Sequence, residues 1–211
     1  MSRLRVVNLA LPKTGTTTLT DALRHAGLSV ADWRIRPGQS ARDDIPRMHV
    51  GKIVYEDYFT TGDPLARLGE FDVINEMSAV RDDRSLWPQT DWGLLRAIAL
   101  HHPSVKFILT MRNPAKTADS MMRWNNLGRR RLPNADIPGL PRGFGAEEPE
   151  LVRWIEGHYT FCKHVFAGSE NFMCYDIEDP QAPEKISQYL GLALPWWGQS
   201  NAGKPARQAA S

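Results

Sequence analysis

Cysteine is nearly missing from this sequence: Cys162 and Cys174 are the only two in 211 residues. They stand twelve positions apart with no CxxC pair, which argues against a disulfide framework or a zinc knuckle and suits core thiols of a reducing compartment. An excess of one charge is also lacking. Lys and Arg number 26 against 24 Asp and Glu, a formal net charge of +2, too little to nominate a nucleic acid or a membrane surface as partner. Any anionic ligand must then be held by a local cluster. No apolar run nears the ~20 residues that a membrane-spanning helix needs. The opening MSRLRVVNLALPKTGTTTL passes from apolar to polar without a small-residue cleavage site, so a cytoplasmic location is the expectation. No His, Cys and Asp set with ligand spacing occurs, and no metal is expected.

What is present suits one domain over residues 1–211. A chain this long buries roughly 70% of its unfolded surface and needs no staple. With 42% hydrophobic and 24% charged residues, the composition is that of a globular protein and not of a disordered one. Leu4 to Leu11 (LRVVNLAL) reads as a strand buried on both faces. From Thr17 onward Leu19, Ala22, Leu23 and Ala26 follow helical spacing, and Gly27 is placed to end that helix. Asp72 to Asn75 predicts a strand, and Asp91 to His101 a helix with Trp92, Leu95, Ile98 and Ala99 on one face. Val105 to Met111 predicts the clearest strand, followed by Asn113 as cap and Pro114 at the first helical position. A helix through Leu151, Trp154, Ile155, His158, Cys162, Val165 and Phe166, a strand over Phe172 to Ile177, and a helix from Pro183 to Leu190 complete the pattern. Alternating strands and helices predict a three-layer α/β sandwich around a central, mostly parallel sheet. Residues 28–70 are mixed. Residues 128–149 hold four prolines and four glycines and read as an irregular lid or substrate loop, and 205–211 as a frayed tail.

The sharpest signal is Pro12-Lys13-Thr14-Gly15-Thr16-Thr17-Thr18 between the first strand and first helix. Unpaired amides at a helix N-terminus attract anions. Gly15 removes the Cβ that would hold the backbone away, the threonines offer hydroxyls, and Lys13 a charge. In the nucleotide-triphosphate loop GxxxxGK[ST] the lysine follows the last glycine. Here Lys13 precedes Gly15, no glycine opens the loop, and the Asp82-Asp83 pair lies in a polar loop, not at a strand end.

PKTGTTTL resembles the 5′-phosphosulfate loop of the sulfotransferases that use 3′-phosphoadenosine 5′-phosphosulfate (PAPS). A second stretch, VKFILTMRNPAKTADS, is similar to that family's 3′-phosphate signature, with Arg112 at a strand end and Ser120 eight residues on. The resemblance covers most of the chain and is closest to short bacterial-type members. It implies a P-loop nucleoside-triphosphate-hydrolase-like fold and PAPS as sulfate donor without a metal. Lys13, Thr14, Gly15, Thr16, Thr17, Thr18, Arg112 and Ser120 would bind the donor. A late loop with Gly203, Lys204 and Arg207 would close over it. The acceptor would be a small molecule or a glycan.

Sulfuryl transfer needs charge neutralised on the leaving oxygen and a base for the acceptor proton. Lys13 is the candidate for the first task. For the second, Glu76 in FDVINEMSAV resembles the catalytic glutamate of the EKSA segment in heparan-type members, although Met77 replaces the lysine. His49 (RMHVGK) is the competing base. His101 and His102 read as helix-end residues, and Arg129 to Arg131 as solvated charge that could meet an acidic acceptor. Trp33, Trp196 and Trp197 read as edge packing. Two rival readings are a small-molecule kinase using ATP on the same fold and a nucleotide-binding protein without chemistry.

Overall fold

Apolar side chains set on alternate sides of short strands decide the layering. The computed structural model describes residues 4–81 and 83–198. In chain order the elements are β1 (Val6–Asn8), α1 (Thr16–His25), β2 (Val30–Ala31), α2 (Val50–Thr61) and β3 (Val73–Ile74). There follow a hairpin of β4 (Ala79–Arg81) and β5 (Arg84–Leu86), then α3 (Trp92–His101), β6 (Lys106–Met111) and α4 (Pro114–Arg123). The chain finishes with α5 (Glu148–Val165), β7 (Phe172–Asp176) and α6 (Ala182–Leu190). Five strands form one parallel sheet in the order β2-β3-β1-β6-β7.

Successive strand residues point to opposite faces, and the two faces hold separate cores. Val6, Val30, Val73 and Ile108 pack against Leu19 and Leu23 of α1 and Ile186 and Leu190 of α6. Their neighbours Val7, Ala31, Ile74, Phe107 and Leu109 pack on the other face, against residues of α2, α3, α4 and α5. Three layers result. Helix starts follow local chemistry: Asn113 Oδ1 accepts from the Lys116 amide with Pro114 behind it, and Asp91 caps α3 through the Leu94 amide. Among the described residues, no helix is long and apolar enough to cross a membrane.

Several expectations need correction. The first ladder spans only Val6–Asn8; Leu9, Ala10 and Leu11 stay buried without strand pairing. The buried stripe of α3 is Leu94, Leu95 and Ile98, whereas Trp92 is exposed and so is Ala99. Cys162 is a core thiol, pushed up to about 12 by burial, but Cys174 is exposed because β7 is the sheet's edge strand. The mixed segment 28–70 contains β2 and α2.

Residues 128–149 are mostly irregular, as expected, but their first residues continue a π-helical turn, Leu127–Arg131. The loop is tied down along its length. Leu132, Ile137 and Leu140 are buried. Ser85 Oγ donates to the Asp136 carbonyl at 2.8 Å, Trp154 Nε1 to the Pro138 carbonyl at 3.0 Å, and the Gly145 amide to Glu150 at 2.8 Å. It is a packed cover between the hairpin and α5. The expected tail, 205–211, lies outside the described residues.

Candidate functional site

Ligands of open parallel sheets collect at the carboxyl ends of the strands, where neighbouring strands send their connections to opposite faces. That point here lies between β1 and β6, which pair in parallel from Val6↔Lys106 to Asn8↔Ile108. β1 feeds α1 on one face and β6 feeds α4 on the other. The Lys13–Gly15 loop and Arg112 therefore emerge side by side.

The loop is shaped by two left-handed residues, Lys13 (φ 71°) and Gly15 (φ 106°). A Cβ on Gly15 would come within 2.5 Å of Ile177, so this position has room for glycine alone. No side chain caps α1, and its first turn carries no acidic residue. Under the loop runs a buried polar network. Asn8 Nδ2 donates to Asn75 Oδ1 at 2.6 Å, and Asn75 Nδ2 donates to the Thr16 carbonyl at 2.8 Å and to the Thr20 hydroxyl. Asn8 Oδ1 accepts from the amides of Ala10 and Thr110. Sequence reasoning missed these residues; the signal was a polar side chain, Asn8, Asn75 or Thr110, set at the end of each apolar strand run.

Three ionisable groups lie within electrostatic reach of one another above this network. The Lys13 ammonium lies 3.5 Å from the centre of the Trp124 ring. Burial lowers its pKa; the Arg112 charge lowers it further and the Glu76 charge raises it, so the three share one field. Glu76 is 9% exposed. Burial lifts its pKa to about 7 against hydrogen bonds from Ser78 and Thr16, with the nearby Asp32 adding to the lift. Asp32, absent from the sequence-based candidates, is itself raised by burial, against the Arg24 charge and the polar groups of Glu76 and Thr20. Arg112 is fixed by Tyr159, whose hydroxyl accepts from its amide and donates to its carbonyl, each at 3.1 Å. Its Nε donates to Glu178 at 3.2 Å, and Lys116 Nζ holds the other oxygen of that carboxylate at 2.7 Å.

The threonines divide. Thr14 is fully buried and its hydroxyl donates to the Leu11 carbonyl at 2.8 Å, so it braces the loop. Thr16 turns its hydroxyl to Glu76, Thr18 is buried, and Thr17 is half-buried. Ser120 is half-buried on α4, the helix that Arg112 introduces. Gly203, Lys204 and Arg207 lie outside the described residues.

His49 occupies a different setting. It precedes α2, pairs with Arg34 across an isolated bridge, and packs edge-on against Trp33. Its Nδ1 is 3.5 Å from Arg84. Burial and the charges of Arg84, Arg34 and Arg81 lower its pKa, against the nearby Asp83. His102 ends α3 and its Nε2 is 2.9 Å from Asp63. Asp83 pairs with Arg84. Trp196 stacks on His25 and Trp197 meets Tyr175 edge-on, which is packing, as expected. Met77 is buried in the core.

The cover loop borders two cavities. One, of about 750 Å³, is largely apolar and lies against α5, with Leu140, Phe144, Trp154 and Phe161 on its walls. His158 reaches it while its Nε2 donates to the Leu9 carbonyl at 2.7 Å; burial drives that imidazole down to about 4, so it is neutral. The other, of about 290 Å³, is lined by arginines.

No protein-family profile matches this chain, and no curated protein is detectably similar to it in sequence.

Proposed function

We propose that this protein is a sulfotransferase that moves a sulfuryl group from PAPS to a hydroxyl or amine of an acceptor. The observation that carries the reading is the meeting of the Lys13–Gly15 loop, Arg112 and the buried carboxyl of Glu76 at the carboxyl ends of β1, β3 and β6. The sheet order and the loop between β1 and α1 support a P-loop-like architecture. The donor set fits a doubly phosphorylated nucleotide: a lysine at the loop for the 5′ side, and an arginine at the neighbouring strand end for the 3′-phosphate.

In this reading the acceptor oxygen forms a bond to sulfur as the bond between sulfur and the 5′-phosphate oxygen breaks. Glu76, ionised, takes the acceptor proton. A carboxylate raised to about 7 is well matched to that task at neutral pH. The charge released on the phosphate oxygen develops beside Lys13, whose ammonium is fixed over Trp124 and so needs little reorganisation. Arg112 holds the 3′-phosphate, with Ser120 one turn and a half along α4 as its partner; the ion pair to Glu178 keeps the guanidinium at the crevice before binding. Glu76 is the base in this reading because it is a buried carboxyl whose charge acts on Lys13.

Transfer of label from sulfur-labelled PAPS to a panel of phenols, amines and sugars tests the proposal. Labelled product that disappears in Lys13→Ala is the expected result. Phosphate transfer from ATP in the same panel, with none from PAPS, would assign the site to a kinase.

A further inference from the structure

The larger cavity, of about 750 Å³, falls within the ~300–1,000 Å³ of small-molecule sites. None of the residues proposed for transfer lines it. Two features of its lining have no explanation in packing. Gly157 stands inside the 18-residue α5, where glycine costs about 1 kcal/mol against alanine. It is exposed, and a Cβ built on it would meet nothing within 4 Å, so no close approach requires glycine there. What the missing side chain leaves free is the space of the cavity that Gly157 lines.

The second feature is His158, a wall residue only 5% exposed. Its Nε2 is 2.7 Å from the Leu9 carbonyl and 3.6 Å from Cys162 Sγ. A carbonyl only accepts, which fixes the proton on Nε2 and leaves Nδ1 as a lone pair. Among the described residues nothing donates to Nδ1. It is the polar atom that His158 has to offer at the cavity.

The other polar groups of the lining are engaged within the fold. Trp154 Nε1 donates to the Pro138 carbonyl at 3.0 Å and the Thr90 hydroxyl to the Trp87 carbonyl at 2.8 Å. Glu150 accepts from the amides of Gly145 and Glu147, and Arg153 Nη1 is 3.5 Å from the Pro149 carbonyl. These last two bring one charge of each sign, so the walls carry no net charge. The rest is apolar and rich in rings: Trp154, Phe161 and Phe144, the last 53% exposed on an otherwise anchored loop. Aromatic walls favour aromatic occupants. A hydroxyl supplies the donor that Nδ1 lacks, whereas an ion would bring its charge into an apolar space without a compensating partner.

We infer that this cavity binds a neutral aromatic molecule bearing a hydroxyl, whose O–H donates to His158 Nδ1 while its rings lie among Phe144, Trp154 and Phe161. The site does not rest on the transfer reading above.

Calorimetric titration of 2-naphthol, 2-methoxynaphthalene and naphthalene-2-carboxylate into the full chain tests it, in wild type, Gly157→Leu and His158→Phe. Wild type binds 2-naphthol and does not bind the carboxylate. The methyl ether keeps the rings but lacks the donor, and binds about tenfold or more weakly. Gly157→Leu fills the cavity and abolishes 2-naphthol binding. That variant puts a better helix former into open space, so an unchanged or higher melting temperature shows that it is folded. His158→Phe keeps a ring in place without Nδ1, and the two neutral probes then bind alike. Leu9 loses its donor in His158→Phe, so Gly157→Leu decides the matter where that variant does not fold. The proposal is overturned if 2-naphthol does not bind wild type, if the ether or the carboxylate binds as well, or if Gly157→Leu binds like wild type. Excess 3′-phosphoadenosine 5′-phosphate (PAP) leaves 2-naphthol affinity unchanged; displacement by PAP would place the rings in the nucleotide crevice and also overturn it. 2-Naphthol binding as described, with no PAP binding to wild type, keeps this site and removes the transfer reading.

Discussion

Glu76, as the proposed base, carries the most demanding physical requirement, because it must be buried enough to be basic and still ionise. Its pKa of about 7 against an ordinary 4.5 means that the folded protein holds this proton more tightly than the unfolded chain. Stability therefore falls as pH rises from about 4.5 to about 7, by on the order of 3 kcal/mol over that window, and is insensitive to this group below it. Glu76→Gln removes that slope, which urea unfolding of both proteins at pH 5 and pH 8 measures. Turnover has the opposite dependence: it rises with pH through the same range as the carboxylate forms. Glu76→Gln keeps PAP affinity and loses about 10²-fold in turnover; full activity in that variant removes Glu76 as base. Asn75 is the second telling residue. It joins Asn8, Thr16 and Thr20 in one buried network, so Asn75→Leu strands several polar groups and costs about 2–3 kcal/mol in unfolding free energy.

Among elements, the long apolar strands and the helices with clear caps were legible, because burial on both faces leaves little ambiguity in Val105–Met111 or in Leu151–Phe166. α2 was not. Its buried residues Val50, Ile53 and Val54 are offset by an aromatic outer face, with Phe59 77% exposed, which blurs the helical stripe. β2 pairs over two residues only, too few to show any period, whereas β3 (Val73–Ile74) falls inside the predicted run Asp72 to Asn75. The candidate site was legible where motifs concentrate it, at Lys13, Gly15 and Arg112, and hidden where it depends on tertiary contact. Asp32 and the Asn8–Asn75 network come together only after β3 pairs with both β1 and β2. α2 also positions the Glu76–Ser78 segment, because Gly51 lies against the Met77 backbone. A Cβ there would approach the Met77 carbonyl oxygen to 2.2 Å. Gly51→Ala therefore pushes α2 from the Glu76–Ser78 segment, lowering the melting temperature and turnover together. The cover loop is anchored by Leu132, fully buried. Leu132→Ala leaves a cavity worth about 2–5 kcal/mol, and limited proteolysis then cuts within 133–147, where wild type resists.

The molecule as a whole is nearly neutral, yet it sets Lys13 and Arg112 together at the carboxyl ends of the central strands β1 and β6. The three-layer architecture was readable from alternating strands and helices, but the order β2-β3-β1-β6-β7 was not, since it depends on which crossovers pass over β1. That order sets the loop beside the arginine strand, and the proposed transfer depends on their adjacency. Calorimetric titration of PAP into wild type, Lys13→Ala and Arg112→Ala tests it most directly. Tight binding to wild type, with each substitution weakening it by about 2–3 kcal/mol and magnesium ATP failing to compete, is the expected result. PAP binding indifferent to either substitution, or displaced by magnesium ATP, would contradict the account.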